Sequence, residues 1–262
     1  MIDSQLYYVF SDLDGTLGIE GQGVPPENKQ AIKAFVERGG KFGVCTGRAP
    51  DSARDFLQDT PVNIPSIVNG GCAMCDLNTG ETWEELFVPE HAMSFALRFI
   101  ENFPECSLVV VNREGYWQVE TGKDSNEEGR YPKLPIEDIG KPWYRIIFVA
   151  SPEDTPQIAK LAEQQKPDGV RIEYTAPDFV EIMNEGAGKY PTLKKMCEKM
   201  DIPLDQVIFI GDFYNDLEVL EHVGTAACVG NAPEEVRQRC NLILPECMDG
   251  AVAALIEKLG IH

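Results

Sequence analysis

The chain has 262 residues, 43% of them hydrophobic, which is enough to bury one large core or two smaller ones. Its 43 acidic and 23 basic residues give a formal net charge of -20. A surface of this sign repels nucleic acid, because polyanion binding depends on clustered Lys and Arg. The composition therefore argues against a nucleic-acid partner. It also predicts that a phosphate ester would bind through a local device such as a metal ion or a helix N-terminus.

The N-terminal part of the chain alternates strand-like and helix-like segments. The first strand is predicted in "LYYVFSDLDG", a β-branched and aromatic run that ends in a glycine turn. A helix is predicted in "PPENKQAIKAFVERGG", with Ile32, Phe35 and Val36 at helical spacing, Pro at its start and Gly at its end. The following segments predict a strand in "KFGVCTGR", a helix over residues 51–60, and two strands around a turn in "SIVNGG" and "CAMCDL".

The middle of the chain, residues 87–184, follows a different pattern. It begins with a predicted helix, "PEHAMSFALRFIENF", two strands, "CSLVVVN" and "GYWQVET", and a polar loop, "GKDSNEEGRYPKLP". It continues with a strand, "WYRIIFVA", a helix, "PEDTPQIAKLAEQQ", and a strand pair, "VRIEYT" and "DFVEIMN". Adjacent strand pairs predict a locally antiparallel sheet with helices on one face.

The C-terminal part returns to alternation. It predicts helices in "LKKMCEKMDI", "NDLEVLEHVG", "PEEVRQRCN" and "GAVAALIEKLG", and strands in "QVIFIGD" and "TAACVG". Strands that alternate with helices predict a parallel sheet covered on both faces. The predicted fold class is therefore α/β: a Rossmannoid parallel-sheet core, residues 1–86 and 185–262, with a second α/β domain, residues 87–184, inserted into it.

The cysteines and the apolar runs indicate a cellular compartment. Most of the eight cysteines lie in apolar runs such as "FGVCTG", which suits buried thiols better than a disulfide framework. No apolar run approaches the ~20 residues that a membrane-spanning helix requires, and the N-terminus does not resemble a secretory signal. We expect a cytoplasmic protein with reduced thiols and no membrane partner. The sequence indicates no oligomeric state.

Two aspartates, Asp12 and Asp14, follow the first predicted strand in "FSDLDGTL". In a parallel α/β sheet this edge binds ligands, and alternation predicts that both side chains point towards one face. Two carboxylates so close repel each other unless a cation lies between them or one is protonated. Mg2+ held by oxygen ligands would meet that need. A solvated turn is the alternative, but the hydrophobic lead-in and the Gly-Thr-Leu that follows favour a functional site.

"DLDGTL" resembles motif I, DxDGT, of the haloacid dehalogenase superfamily. The family places three further motifs in a fixed order, and each has a counterpart in its expected setting. They are "VCTGR" with Thr46, "NEGAGKYPTLKKM" with Lys189, and "VIFIGDFYND" with Asp212, Asn215 and Asp216. The joint match is far more specific than any one motif.

The resemblance implies a phosphatase that forms an aspartyl-phosphate on Asp12. Mg2+ would be bound by the Asp12 carboxylate, the backbone carbonyl of Asp14 and Asp212. Asp14 would protonate the leaving oxygen and then take a proton from the water that hydrolyses the intermediate. An ionised carboxylate needs no base to act as the nucleophile.

The resemblance also implies which residues bind the phosphoryl group. Thr46, with the adjacent Gly47, and Lys189 would bind its oxygens as charge builds there. Asn215 would donate a hydrogen bond near the phosphoryl group. Asp216 would support the site by holding Lys189 or a metal-bound water.

The inserted domain is similar to the type IIB cap of Cof-type phosphatases. "IVNGG", "VGNAPEEV" and "DGAVAAL" resemble Cof-type signatures. Asn69 in the first of these is expected to bind substrate near the cap, and a simple turn residue is the alternative. Specificity would lie in the cap, where we consider four residues for substrate contact, with packing as the alternative for each: Arg113, Trp117, Arg130 and Tyr131.

The expected function is Mg2+-dependent hydrolysis of a small phosphorylated metabolite, such as a sugar phosphate. Two alternatives remain from the sequence. A phosphomutase of the same superfamily would return the phosphoryl group to the substrate, and a non-catalytic phospho-ligand-binding protein would show no turnover. Sustained release of inorganic phosphate separates the phosphatase from both.

Overall fold

The structure, a computed structural model, describes residues 7–121 and 131–260. Its first elements are β1 (Tyr8–Ser11), α1 (Pro26–Glu37), β2 (Lys41–Val44), α2 (Pro50–Leu57), β3 (Ser66–Val68), β4 (Ala73–Cys75), β5 (Thr82–Glu85), α3 (His91–Ile100), β6 (Ser107–Asn112) and β7 (Gly115–Val119). Then follow β8 (Lys133–Leu134), β9 (Trp143–Val149), α4 (Thr155–Gln165), β10 (Val170–Ala176), β11 (Phe179–Asn184), α5 (Lys189–Lys199), β12 (Val207–Gly211), α6 (Leu217–Leu220), β13 (Thr225–Cys228), α7 (Glu234–Arg237), β14 (Leu242–Ile243) and α8 (Ala251–Lys258). The first nine residues of the predicted polar loop, 122–130, lie outside the described residues, and they include the candidate Arg130.

The chain divides into two compact units. Unit 1 contains the described residues up to Glu84 and from Gly188 onward, and unit 2 is Glu85–Ala187. The predicted boundaries lie two residues away at the first junction (86 against 84) and three at the second (184 against 187). Unit 2 therefore interrupts the sequence of unit 1, and its role as a cap stays a proposal.

Unit 1 is built on a five-stranded sheet in the order β14-β13-β12-β1-β2. Every neighbouring pair in it is parallel, as predicted. Ser11, at the end of β1, is level with Val44 of β2 and Ile210 of β12. The carboxyl ends of these three strands are therefore side by side, which brings the segments that follow them to one edge of the sheet.

The helices of unit 1 follow the predicted pattern where apolar periodicity is strong. Helix α1 begins at Pro26, where a missing N–H costs nothing, and buries Ile32 and Phe35. It packs against α8, which buries Val252 and Leu255. Both elements were predicted within a few residues of their observed ends.

Some short elements of unit 1 differ from the prediction. Helix α6 has only four residues and follows a 3-10 turn over Tyr214–Asp216, where one continuous helix was predicted. The Asp216 carboxylate accepts hydrogen bonds from the backbone N–H groups of Asp212 and Phe213, and this holds the first turn in the tighter geometry. Strand β5 adds a third strand to β3 and β4. The sequence does not predict this strand, because its side chains are partly or fully exposed and show no apolar alternation.

Unit 2 contains a six-stranded sheet in the order β10-β11-β9-β6-β7-β8. Its neighbours are antiparallel except for the parallel pair β7–β8. Helices α3 and α4 share one hydrophobic cluster with Leu108, Val110, Ile146 and Phe148, so they cover the same face, as predicted. The alternate residues, such as Val109, Val111 and Ile147, form a second cluster.

All eight cysteines are free thiols, as predicted, and all but Cys240 are buried. Within residues 7–121 and 131–260, no helix is long and apolar enough to cross a membrane.

Candidate active site

The two motif aspartates lie just beyond β1 and belong to different ion pairs. The strand ends at Ser11, so the predicted alternation of Asp12 and Asp14 along a strand is wrong. Asp12 is buried, its N–H donates to Ile210 O at 2.9 Å, and its Oδ1 accepts from Lys189 Nζ at 2.7 Å. Asp14 is 46% exposed, and its carboxylate binds Arg48 instead. A turn begins at Leu13, where Leu17 N–H donates to Leu13 O.

Lys189 is the buried cation of the site. It is the first residue of α5 and is 1% exposed. Its Nζ donates to Asp12 Oδ1 and to Asp216 Oδ1, both at 2.7 Å. Burial would lower the pKa of Lys189, but the two carboxylates outweigh burial and raise it above the ordinary value. The ammonium is therefore held in place as a permanent positive charge.

Asp212 and Asp216 follow β12 and have different partners. Asp216 is fully buried; one oxygen binds Lys189, and the other accepts from the N–H groups of Asp212 and Phe213 at 3.0 and 3.3 Å. Asp212 Oδ1 accepts from Thr16 Oγ1 at 2.8 Å. Burial, and then the charge of Asp216, raise the pKa of Asp212 to about 6.

Two glycines give these carboxylates the space they occupy. Gly15 has φ +82°, and a Cβ on it would lie 2.5 Å from Asp212 Oδ2. A Cβ on Gly211 would lie 2.4 Å from Asp216 Oδ2. Since real Cβ contacts are not this short, any side chain at either position would displace the acidic group beside it.

The donor set fits a divalent cation. Asp12, Asp212 and Asp216 offer carboxylate oxygens that all lie within 4.8 Å of one another. Burial raises the pKa of Asp12 well above its ordinary value; Lys189 opposes this shift, and Asp216 and Asp212 add to it. An oxygen of the Asp12 carboxyl group lies within 4.8 Å of an oxygen of the Asp212 carboxyl group. The carboxyl groups of Asp12 and Asp212 supply hard oxygen donors, which suit Mg2+ or a similar ion. Asp216 already binds Lys189 and the backbone.

Thr46 and Gly47 form the loop after β2. Thr46 is fully buried, and its N–H donates to Ile67 O at 2.9 Å. Its Oγ1 accepts from the backbone N–H of Arg48 at 3.1 Å, so the hydroxyl hydrogen can still be directed at a ligand. Gly47 lies between Thr46 and Arg48 in this loop.

Asn69 lies beside this loop in an unusual backbone conformation. It has φ +52° and is 1% exposed, and its N–H donates to Arg48 O at 2.8 Å. Among the described residues, its Oδ1 is buried without a hydrogen-bond partner. A strained residue with an unsatisfied buried acceptor is typical of a ligand-binding position, which keeps the substrate-binding role open.

Asn215 and Asn231 lie on the same side of the sheet. Asn215 is partly buried in the 3-10 turn between Asp212 and Asp216. Asn231, from the Cof-type signature, donates through Nδ2 to Gly15 O at 2.9 Å and accepts from Cys247 N–H at 3.0 Å. It therefore anchors the turn that carries Gly15.

The motifs predict no role for Arg48, the last residue of "VCTGR". Arg48 binds Asp14 through two hydrogen bonds, Nε to Oδ2 at 2.8 Å and Nη2 to Oδ1 at 2.6 Å. The only signal in the sequence was its position directly after Thr46 and Gly47. Its partner is 34 residues away in the chain, which no local pattern reveals.

The three described candidates for substrate contact in unit 2 have partners within that unit. Arg113 binds Glu85 at 2.5 Å, Trp117 donates through Nε1 to Asn112 Oδ1 at 3.1 Å and packs against the main cluster, and Tyr131 stacks on Tyr116. These contacts give Trp117 a packing role.

Comparisons with known proteins show which family the chain belongs to. A sequence model of the haloacid dehalogenase-like hydrolases matches residues 9–256. The pyridoxal phosphate phosphatase of Escherichia coli (strain K12) is 25% identical over 264 residues, covering 94% of this chain and 95% of that protein. The 5-amino-6-(5-phospho-D-ribitylamino)uracil phosphatase of Bacillus subtilis (strain 168) is 24% identical over 255 residues, covering 97% of this chain and 96% of that protein.

A solved structure of a HAD subclass IIB sugar phosphatase has the same fold, with a TM-score of 0.80 and 19% identity over 98% of this chain and 100% of that one. The family match spans nearly the whole sequence, including all four motifs. The predicted fold class and family are confirmed. The chain therefore belongs to the haloacid dehalogenase-like hydrolases.

Proposed function

We propose that the chain is a Mg2+-dependent phosphatase that hydrolyses a small phosphorylated metabolite through an aspartyl-phosphate on Asp12. The observation that carries the proposal is the buried cluster at the carboxyl edge of the sheet. In it, Asp12 lies 2.7 Å from the Lys189 ammonium and within 4.8 Å of oxygens of Asp212 and Asp216. In this arrangement one candidate nucleophile lies beside a fixed cation, Lys189, and among carboxylates that suit a second cation.

In the first half-reaction, an Asp12 carboxylate oxygen attacks phosphorus, and the bond from phosphorus to the leaving oxygen breaks. Asp14 transfers a proton to that oxygen as it leaves. Lys189 and the Thr46 hydroxyl donate to the phosphoryl oxygens, where negative charge increases in the transition state. Gly47 and Asn69 lie on the adjoining loops and contribute further contacts to phosphate or substrate.

In the second half-reaction, water attacks the phosphorus of the aspartyl-phosphate, and Asp14 takes its proton. The bond between phosphorus and the Asp12 oxygen breaks, which releases inorganic phosphate and restores the carboxylate. Asn215 donates a hydrogen bond near the phosphoryl group. Asp216 acts through Lys189, whose ammonium it holds at 2.7 Å.

Asp12, Asp212 and the backbone carbonyl of Asp14 would hold the Mg2+. When bound, the ion would favour the ionised form of the buried carboxylates and offset the repulsion between an anionic nucleophile and an anionic phosphate. The raised pKa values of Asp12 and Asp212 are the property of this chain that supports such a requirement.

The activities of the two bacterial relatives support a small phosphorylated metabolite as the substrate. One acts on pyridoxal phosphate, and the other on a phosphorylated ribitylamino-uracil. Unit 2 is assigned as the type IIB cap that sets specificity. A cytoplasmic location fits the eight free thiols.

The test is phosphate release from a panel of sugar, polyol, nucleotide and cofactor phosphates, with excess MgCl2 or with EDTA. We expect wild-type release that requires the metal and is lost in Asp12→Asn, which keeps the shape of the side chain but cannot form the acyl phosphate. Asp205→Asn, at an acidic residue in a 3-10 turn before β12, is the matched control.

Metal-independent release, or full activity in Asp12→Asn, would contradict the proposal. Trapping of a phosphorylated protein in wild type but not in Asp12→Asn would identify the attacking residue. Transfer of the phosphoryl group to a second hydroxyl of the substrate, without free phosphate, would indicate a mutase.

A further inference from the structure

We propose that Arg48 is a positioning residue that fixes the Asp14 carboxylate for proton transfer to the leaving group. The inference rests on the proposed function, in which Asp14 protonates the leaving oxygen. It goes further because it assigns a role to a residue outside the proposed set of nucleophile, acid, metal ligands and phosphate-binding groups.

The contact between Arg48 and Asp14 is a two-point fork. Nε donates to Oδ2 at 2.8 Å, and Nη2 donates to Oδ1 at 2.6 Å. Two parallel bonds from a planar guanidinium fix the position of a carboxylate and also its rotation. A single bond, or a lysine, would fix only the position.

Arg48 is itself held from three directions. Its Nη1 donates to Ser52 Oγ on α2 at 3.0 Å, and its guanidinium carbon lies 4.4 Å from the centre of the Phe56 ring. Its backbone carbonyl accepts from Asn69 N–H, and its backbone N–H donates to Thr46 Oγ1. The Arg48 side chain is only 17% exposed, so α2 and the Thr46 loop form a rigid support for it.

Asp14 needs such a support more than the other acidic residues of the site. Its side chain is 46% exposed, whereas Asp12 and Asp216 are buried among fixed partners. An exposed carboxylate on a turn loses rotamer entropy when it adopts one reactive position, and misplacement of a proton donor reduces the rate sharply. The Arg48 fork restricts Asp14 before substrate binds.

Direct binding of phosphate by Arg48 is the competing interpretation. All three guanidinium nitrogens already donate to protein oxygens, two to Asp14 and one to Ser52. These bonds use three of the five guanidinium N–H groups, the charge of Arg48 is paired with Asp14, and Glu20 Oε2 lies 4.0 Å from Nη2. A phosphate anion bound by Arg48 would therefore lie close to two carboxylates. The geometry therefore favours action through Asp14.

The two interpretations differ in how the loss of Arg48 depends on the leaving group. A strongly basic alkoxide needs a proton as it departs, while a weakly basic nitrophenolate does not. A positioning role for Arg48 therefore matters most for alkyl phosphates. A phosphate-binding role would matter equally for both, because the phosphoryl group is the same.

The experiment compares kcat/KM for benzyl phosphate and p-nitrophenyl phosphate, which are similar in size but have alkoxide and phenolate leaving groups. This ratio reports the steps up to loss of the leaving group. We expect Arg48→Gln to reduce kcat/KM for benzyl phosphate about 100-fold, the usual scale of general acid catalysis, and for p-nitrophenyl phosphate only a few-fold. Arg48→Lys should also lose more kcat/KM for benzyl phosphate than for p-nitrophenyl phosphate. Arg54→Gln, at an exposed arginine of α2 paired with Asp51, should change neither value.

A double-mutant cycle with Asp14→Asn adds a second readout. If Arg48 acts through Asp14, Arg48→Gln should cost little in the Asp14→Asn background. Equal losses on the two substrates, or additive losses in the cycle, would overturn the inference while leaving the proposed function intact. If wild type hydrolysed neither ester in Mg2+ nor any member of the metabolite panel, the proposed function would fail, and this inference with it. Should Arg48→Gln not fold, Arg48→Lys provides the same comparison.

Discussion

The ammonium of Lys189 lies 2.7 Å from the carboxylate of Asp12, although 177 residues separate the two in the chain. The contact exists because β1 lies between β12 and β2 in the sheet, and α5 leads into β12 after the chain returns from unit 2. Asp216, on the segment after β12, completes the pair by binding the same ammonium. The site is therefore assembled by sheet order, and its charge balance depends on one lysine.

Removal of that lysine should reduce stability as well as activity. In Lys189→Met, Asp12 and Asp216 would stay buried without their cation, which typically costs about 3–5 kcal/mol of unfolding free energy. Urea unfolding in EDTA measures this cost, and phosphate release measures activity. Lys199→Met is the matched control: this lysine ends the same helix, is 47% exposed and makes a surface ion pair with Glu84 at 3.1 Å. It should cost at most about 1 kcal/mol, and equal losses in the two variants would contradict the role of Lys189.

Gly15→Ala tests the space that Asp212 occupies. The new Cβ would fall 2.5 Å from Asp212 Oδ2, so the carboxylate must move, and we expect weaker Mg2+ affinity and lower kcat. Gly21→Ala is the control, because Gly21 has nearly the same φ, +80°, and no atom within 4 Å of its Cβ position. Both variants bear the strain of an L-residue at positive φ, about 1 kcal/mol, but only Gly15→Ala should change the Mg2+ titration measured by activity or calorimetry. A shifted titration in both would indicate a general loop effect instead.

The raised pKa of Asp212 predicts a specific pH dependence in the metal-free protein. The folded state holds the proton up to about pH 6, while the unfolded chain releases it near 3.8. The contribution of Asp212 to stability is therefore fully present below 3.8 and is lost as the pH rises through about 6. In EDTA, wild type should lose on the order of 3 kcal/mol relative to Asp212→Asn across this window.

Mg2+ should reverse that loss, because it binds the ionised carboxylate. Excess MgCl2 should raise the melting temperature of wild type above this pH window and have little effect below it, where protons compete. Asp212→Asn should gain much less from the ion. A difference between wild type and Asp212→Asn that does not change with pH would contradict the assignment.

The ion pair between Arg145 and Glu181 predicts a stability effect confined to unit 2. The two residues are 2% and 3% exposed, and Arg145 Nη1 lies 2.7 Å from both carboxylate oxygens. Arg145→Met should cost about 3–5 kcal/mol, because it leaves Glu181 buried without its cation. The double variant Arg145→Met/Glu181→Met should be more stable than Arg145→Met, since it removes the unpaired charge as well. Chemical denaturation of the three proteins checks the order, and a double variant less stable than the single one would contradict it.

The sequence by itself determined the elements with strong periodicity, and it singled out the motif residues as candidates. Helices α1 and α8 and the central strands of both sheets have apolar patterns that only one structure buries well. Residue type and motif order were enough to propose Asp12, Thr46, Lys189 and Asp212 as site residues. No contact had to be known, since local propensity and motif spacing are properties of the chain itself.

Tertiary structure alone decided which of these side chains meet. It ended β1 at Ser11, joined Asp14 to Arg48, and joined Asp216 to Lys189. It also reduced α6 to four residues, because the Asp216 carboxylate binds the backbone of the preceding turn. These outcomes depend on contacts between segments that only the order of strands in the sheet brings together. The energy of a buried charge is set by those neighbours, and local sequence does not contain it.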